Sequence, residues 1–173
     1  SYALFTNLTR DHLDYHGTME AYEEAKSLLF RWEGLKCSVI NIDDSAGLRL
    51  CRVSLDAGVR VIAATAVGTK APEGCELLEA RDVQIVLGLF NVDNMIGAIG
   101  MMLASGRGLD DVIRVAERLA PPPGRLQKIT HPDEPMGVVD YCHTPDAIEK
   151  ALTTLRPVAE ARGGKLWAIV GAG

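Results

Sequence analysis

Close cysteine pairs are missing from this sequence. Cys37, Cys51, Cys75 and Cys142 stand far apart and form no CxxC, which argues against a zinc knuckle and against a dense disulfide framework. Reduced, mostly buried thiols are expected, because free cysteine packs like a small hydrophobe. Long hydrophobic runs are missing as well. No stretch reaches the length of a membrane span, and Ser1 to Asn7 lack the basic and then apolar layout of a signal peptide. A cytoplasmic chain without a membrane partner is the expectation. A basic surplus is the third absence. The 18 Lys and Arg are scattered and outnumbered by 23 Asp and Glu, for a net charge of -5, so no nucleic acid partner is expected. A small anionic ligand stays compatible with that balance.

With 173 residues, 47% hydrophobic and 24% charged, the chain has a globular composition and the length for one domain, or one domain and part of another. Segments of strand character alternate with helical periodicity, the pattern of an α/β architecture with a largely parallel sheet flanked by helices. Tyr2 to Thr6 reads as a buried strand. Thr18 is placed to cap a helix through Leu29, with Tyr22, Ala25, Leu28 and Leu29 on one apolar face. A strand at Ser38 to Ile42, a helix from Ser45 to Leu55 and a strand at Val59 to Ala64 make a β-α-β unit. Pro72 and Gly74 break the periodicity after it, so Gly68 to Glu79 reads as a small antiparallel excursion, with strand character resuming at Val83 to Leu87. Asn91 to Ala104, apolar on several sides, predicts a helix packed on more than one face. Gly106 and Gly108 end it, and Leu109 to Leu119 carries a further helical stripe with Asp110 and Asp111 in its first turn.

Pro121, Pro122 and Pro123, followed by Gly124, have fixed torsions and too few donors to continue a helix or a central strand. A domain boundary is expected there, with 1–123 on one side and 124–173 on the other. The second part reads as the beginning of another Rossmann-like α/β domain. It has strands at Leu126 to Thr130 and Gly137 to Tyr141, a helix from Pro145 to Ala161, and a strand at Leu166 to Val170.

The densest polar cluster, Thr9-Arg10-Asp11-His12-Leu13-Asp14-Tyr15-His16, directly follows a buried strand. Ligands of open α/β sheets bind beyond the carboxyl ends of strands, so a site is expected in this loop. His12 with Asp11 or Asp14 can offer nitrogen and oxygen to a metal, and Mg²⁺ would complete its shell with water and phosphate oxygens. The same aspartates can equally make local turns in a solvated loop. His12 and His16 stand four apart, but the glutamate a metalloprotease needs between them is absent. Lys26 reads by spacing as a surface lysine within reach of Glu23.

Farther on, Asp140-Tyr141-Cys142-His143-Thr144-Pro145-Asp146 sets a good N-cap, Thr144, before a proline in the first helical position. A phosphate can dock at such a helix start with His143 beside it, although the run also serves simply as a well-built helix start. Gly171-Ala172-Gly173 looks like the opening of a dinucleotide-binding loop, or like the tight turn that many folds use.

In order and across nearly the whole chain, these segments resemble the MurE-type branch of the Mur ligases. Thr6-Asn7-Leu8-Thr9-Arg10-Asp11-His12-Leu13-Asp14-Tyr15-His16-Gly17 is similar to that family's central-domain metal loop, and Tyr22-Glu23-Glu24-Ala25-Lys26 to the segment whose lysine is carbamylated. Gly88-Leu89-Phe90-Asn91-Val92-Asp93-Asn94 looks like the segment near the adenine, and Asp140 to Asp146 like the strand-to-helix motif opening the C-terminal ligase domain.

The resemblance implies an ATP-dependent amide-bond ligase of peptidoglycan precursor synthesis. It would add meso-diaminopimelate or L-lysine to UDP-MurNAc-L-Ala-D-Glu through an acyl phosphate. ATP and Mg²⁺ are the implied cofactors, and the precursor dipeptide and a diamino acid the implied partners of a monomer. His12 and carbamylated Lys26 would hold the metal, and a carbamate suits that task because it replaces a cation with an anionic oxygen donor. Asn91 would contact the adenine, while Arg125, Asp140 and His143 would meet the ribose and phosphates. Lys26 and His143 are the implied catalytic residues, with Tyr141 a packing or lining residue rather than a chemical one.

Two residues depart from the family pattern: Leu89 where arginine is common, and Cys142 where alanine is usual. The GxxxxGK[ST] phosphate loop is absent, as are the N-terminal UDP-binding domain and the region that selects the incoming amino acid. The chain reads as the second half of a central ATP-binding domain followed by the first part of a ligase domain, inactive by itself. Two rival readings stay open: a non-catalytic nucleotide-binding or interaction module with the same fold, and a sister ligase of the Mur or folylpolyglutamate type.

Overall fold

The structure is a computed structural model. It describes residues 1–9, 13–83, 92–116, 118, 122–130 and 134–171, with the side chains of 13, 14, 82 and 83 excepted. These residues fall into two compact units, one ending at Arg118 and the other beginning at Pro122.

The first unit is a four-stranded parallel sheet in the order β1 (Tyr2–Phe5), β2 (Cys37–Asn41), β3 (Arg60–Thr65), β4 (Glu76–Glu79). Side chains of a strand alternate between faces, and the apolar residues divide accordingly. Ala3, Phe5, Ile40, Val61 and Ala63 enter one core with Phe30, Ala46 and Leu50. Val39, Ile62, Ala64 and Leu78 enter another with Ile96, Ile99 and Val112. The first core lies under helices α2 (Met19–Phe30) and α3 (Ser45–Asp56), preceded by the short α1 (Leu13–His16); the second lies under α4 (Val92–Ala104) and α5 (Leu109–Ala116). Every residue of β2 is buried, as expected of a central strand covered on both faces.

Two glycines let backbone approach its neighbours closely. A Cβ at Gly47 would meet the Asn41 carbonyl oxygen at 1.9 Å, and one at Gly100 would meet Val39 Cγ1 at 2.6 Å. Thr18 caps α2, its hydroxyl accepting from Ala21 N at 3.2 Å, and Asp44 caps α3.

Two expectations for this unit are corrected. The stretch after β3 is no antiparallel excursion, because β4 pairs parallel with β3, Ile62 opposite Glu76. Irregular backbone at 66–75 carries the chain back along the sheet, and Leu78 then adds to the α4 side. Val83 closes a 3₁₀ turn, Ala80–Val83, and 84–87 lie outside the described residues. The inward face of α2 also differs. Leu28 and Leu29 are 52% and 48% exposed, while Ser27 and Phe30 are buried. Phe30, edge-on to Phe5 with ring centroids 6.2 Å apart, sets the helix rotation, and the Ser27 hydroxyl is satisfied by the Glu24 carbonyl at 2.8 Å.

The second unit opens on a turn in which Arg125 N donates to Pro122 O at 3.2 Å and Gly124 takes φ 74. Proline followed by a positive-φ glycine is what a type II turn requires. β5 (Gln127–Ile129) and β6 (Gly137–Val139) pair antiparallel, and α6 (Pro145–Ala161) follows. Leu166 to Val170 is not a strand. Trp167, Ile169 and Val170 are 85%, 103% and 60% exposed. No neighbouring strand among the described residues offers this segment hydrogen bonds, and β structure requires such a partner.

All four cysteines carry free thiols, Cys37 and Cys51 buried, Cys75 and Cys142 half-buried. Burial, with Cys75 beside it, pushes the Cys51 thiol up to about 12. Among the described residues no helix is long and apolar enough to cross a membrane.

Candidate functional site

The carboxyl edge of the first unit's sheet is polar and tightly bonded. Asn41, last in β2, donates from Nδ2 to the Thr6 carbonyl at 2.8 Å and accepts from Asp43 N at 3.0 Å. Asp44 accepts from Ala46 N at 2.8 Å with one oxygen and from Leu8 N at 2.7 Å with the other. Asp43 turns the opposite way and takes the Thr65 and Thr69 hydroxyls together with the amides of Ala66 at 2.7 Å and Val67 at 3.3 Å. Burial opposes ionisation of Asp43, yet these donors outweigh it and hold the carboxyl below its ordinary value. The segment Asn41 to Asp44 thus ties the exit of β1 on one side and the exit of β3 on the other.

A small cleft of about 160 Å³ opens at the same edge, lined by Phe5, Thr6, Asn7, Lys26, Leu29 and Phe30. Lys26 reaches it because it shares the half-buried and buried side of α2 with Tyr22, Glu23, Ser27 and Phe30. Its ammonium lies over the Tyr22 ring, 4.8 Å from the centroid, and His16 stacks on that ring at 4.8 Å. Glu23, which spacing offers as the partner of Lys26, binds Arg49 of α3 instead through a bidentate pair at 2.6 and 2.7 Å. That pair draws the Glu23 carboxyl below its usual value. Among the described residues Lys26 has no carboxylate partner. A cation at the carboxyl edge of a parallel sheet is placed to meet an anion.

Arg125, Asp140 and His143 come together in the second unit. Asp140 accepts from Leu126 N and Cys142 N, both at 2.8 Å, and thereby holds the backbone just after Arg125 and just after Tyr141. The Arg125 guanidinium lies over the Tyr141 ring at 5.9 Å, and the His143 ring meets Tyr141 edge-on at 5.7 Å. His143 Nδ1 is 3.1 Å from the Tyr141 carbonyl, an arrangement that turns Nε2 away from this bond. Thr144 caps α6 by accepting from Ala147 N at 3.3 Å, with Pro145 in the first turn.

His12 and Asn91 lie outside the described residues, as do Asp11 and the Gly88 to Asn91 part of the adenine-like segment. Lys26 belongs to the first unit, and Arg125, Asp140 and His143 belong to the second. No group of three or more His, Cys, Asp or Glu able to hold a metal occurs among the described residues. Sequence reading passed over Asn41, Asp43 and Asp44. Their signal was available: three polar residues stand at the carboxyl end of an apolar strand and run into a helix cap.

The Mur ligase middle domain family matches residues 1–102, and the glutamate ligase domain of the Mur ligases matches 124–173. The chain therefore belongs to the Mur ligase family. It is 44% identical to a UDP-N-acetylmuramoyl-L-alanyl-D-glutamate--2,6-diaminopimelate ligase of Janthinobacterium sp. (strain Marseille), over 99% of this chain and 38% of that protein. It is likewise 44% identical to the Pseudomonas aeruginosa protein of the same name, over 92% and 36%. A solved structure of a ligase so named shares 33% identity and a TM-score of 0.65, covering 90% of this chain and 35% of that one. MurF from Acinetobacter baumannii, 16% identical with a TM-score of 0.64 over 90% and 37%, shows the same fold. The chain spans roughly two fifths of the length of these relatives (38% of the first).

Proposed function

We propose that this chain is the Mg²⁺- and ATP-handling middle of an amide-bond ligase of peptidoglycan precursor synthesis, working in the cytoplasm. The reaction moves the ATP γ-phosphate to the glutamate carboxylate of UDP-MurNAc-L-Ala-D-Glu. The amine of 2,6-diaminopimelate then displaces phosphate from the acyl phosphate, leaving an amide, ADP and phosphate. The names of the relatives favour diaminopimelate over lysine as the amine. The domain boundary falls at the proline run, with 1–123 in the central domain and 124–173 in the ligase domain.

The observation that carries this reading is Lys26. It lines a cleft at the carboxyl edge of a parallel sheet, its ammonium over the Tyr22 ring and without a carboxylate partner among the described residues. As an ammonium it suits phosphate oxygens; as a carbamate it becomes an anionic donor for Mg²⁺. Mg²⁺ keeps several waters and takes few protein ligands, and His12 and Lys26 would be its holders. The bound metal supplies charge neutralisation on the transferring phosphoryl group. From the second unit, Arg125 and His143 contribute donors toward phosphates and ribose, and Asp140, both oxygens already engaged, fixes the backbone that presents them. Asn91 would face the adenine.

In the ligase that contains this chain, Lys26→Ala lowers ATP-dependent amide formation at least ~100-fold, as loss of a positioned charge on a transferring phosphoryl group does. His143→Ala lowers it less. Full turnover by Lys26→Ala would overturn the reading.

A further inference from the structure

We infer that Asn41 and Asp44 are positioning residues that set the rim of the Lys26 cleft. The inference rests on the ligand reading of that cleft. Thr6 and Asn7 line it, and neither is held by sheet pairing, because the register of β1 with β2 ends at Phe5 opposite Ile40. Two side-chain bonds continue where the ladder stops. Asn41 Nδ2 grips the carbonyl before Asn7, at Thr6, and Asp44 grips the amide after it, at Leu8. Asn7 is thereby bracketed on both sides by the end of β2 and the connection that leads from it into α3.

Asp44 has two separable duties. One oxygen caps α3 through Ala46 N, and the other reaches 36 residues back to Leu8 N. Capping needs one acceptor, which serine and asparagine provide nearly as well as aspartate. The tether needs the second oxygen. Serine is too short to supply it, and asparagine with its oxygen on Ala46 N turns an NH₂ donor toward the Leu8 donor. Asp44→Ser and Asp44→Asn thus keep the helix start and release the rim. Were Asp44 a cap alone, both variants would match the parent.

The test has two arms. In this chain, amide hydrogen exchange at Leu8 is expected to speed up at least ~10-fold in both variants, the loss of a charge-assisted bond, with exchange in α3 unchanged. Unchanged protection at Leu8 overturns the inference. In the ligase that contains the chain, both variants are expected to lower kcat ~10-fold or more and to raise the Mg²⁺ concentration for half-activity. KM for the diamino acid should stay where it is. A purely structural cap would leave the Mg²⁺ dependence alone, and that result also overturns the inference. If Leu8 is released as expected while Lys26→Ala keeps full activity, the ligand reading of the cleft fails and the bracketing itself stands.

Discussion

The two units of the chain are built on different terms. In the first, β2 is buried along its whole length and two apolar clusters sandwich the sheet. In the second, Ile129 and Val139 of the paired strands are 49% and 47% exposed, and Leu155 is the one buried hydrophobic residue among those described. Yet both present an ordered polar arrangement, and in both an aspartate makes it. Asp44 joins two loops in the first unit, and Asp140 joins Leu126 to Cys142 in the second. Local order at a site can therefore rest on a few charge-assisted bonds to backbone amides, while resistance to unfolding depends on buried apolar area.

The contrast breaks most readily at close packing in the first unit. Gly47→Ala would drive a methyl group into the Asn41 carbonyl, and the atom in the way is backbone rather than a flexible side-chain tip. A loss of about 3 kcal/mol or more is expected, read as a shift in the denaturant midpoint. A neutral result would mean that α3 and β2 are not seated as described.

A matched pair of truncations sharpens the same point. Ile40→Ala empties a site with no solvent exposure and should cost about 3 to 4 kcal/mol. Leu155→Ala on α6 removes a residue that belongs to neither apolar cluster of the described residues and should cost about 1 kcal/mol, because its surroundings can collapse or hydrate. Equal losses would show that the second unit has a core of its own.

Next in size is an acid effect at Asp43, which adds to those of Glu23 and Glu76, whose bonds to Arg49 and Arg60 also hold their carboxyls low. Its folded carboxyl is held below the ordinary aspartate value of about 3.9. A depressed folded value means the stabilisation is fully present above the unfolded pKa and is lost as pH falls through the folded one. Asp43→Asn should cost about 1 to 2 kcal/mol at neutral pH and flatten the stability profile below pH ~4. A profile with the parent's slope would clear Asp43 of this role.

These effects also separate what the sequence discloses from what it hides. Apolar runs in Tyr2 to Phe5, Cys37 to Asn41 and Arg60 to Thr65 disclose the sheet, because a strand covered on two faces must be apolar on both. Caps at Thr18 and Thr144 disclose helix starts, since each side chain satisfies an amide three residues on. The face of α2 was hidden. Leu28 and Leu29 add up to a stripe, but one aromatic contact from Phe30 to Phe5 sets the rotation, and that same rotation brings Lys26 inward. Leu166 to Val170 has strand composition and lacks a partner strand among the described residues, and composition cannot supply one. At the site, Lys26 and Arg125 came from family resemblance rather than from spacing, whereas the helix start at Thr144 already drew attention to the run from Asp140 and to His143. Asn41 and Asp44 act across 35 and 36 residues of sequence, so local pattern marks them as polar residues at the end of a strand but does not name their partners.

The smallest expected effect gives the cleanest view of the comparison. The chain has two tryptophans, one in each unit: Trp32, 65% exposed at the end of α2, and Trp167, 85% exposed beyond α6. Trp167→Phe should leave stability within about 0.5 kcal/mol of the parent, as exposed substitutions do, and leave Trp32 as the lone reporter of the first unit. Its emission intensity should then track one cooperative denaturant transition, as a small domain gives, with only a modest shift of the maximum because this indole is itself 65% exposed. In Trp32→Phe the remaining indole already meets water in the folded chain, so its emission maximum should barely move across the same titration. A large red shift of Trp167 would show that it is packed in solution, and the contrast between a cored unit and a coreless one would then give way.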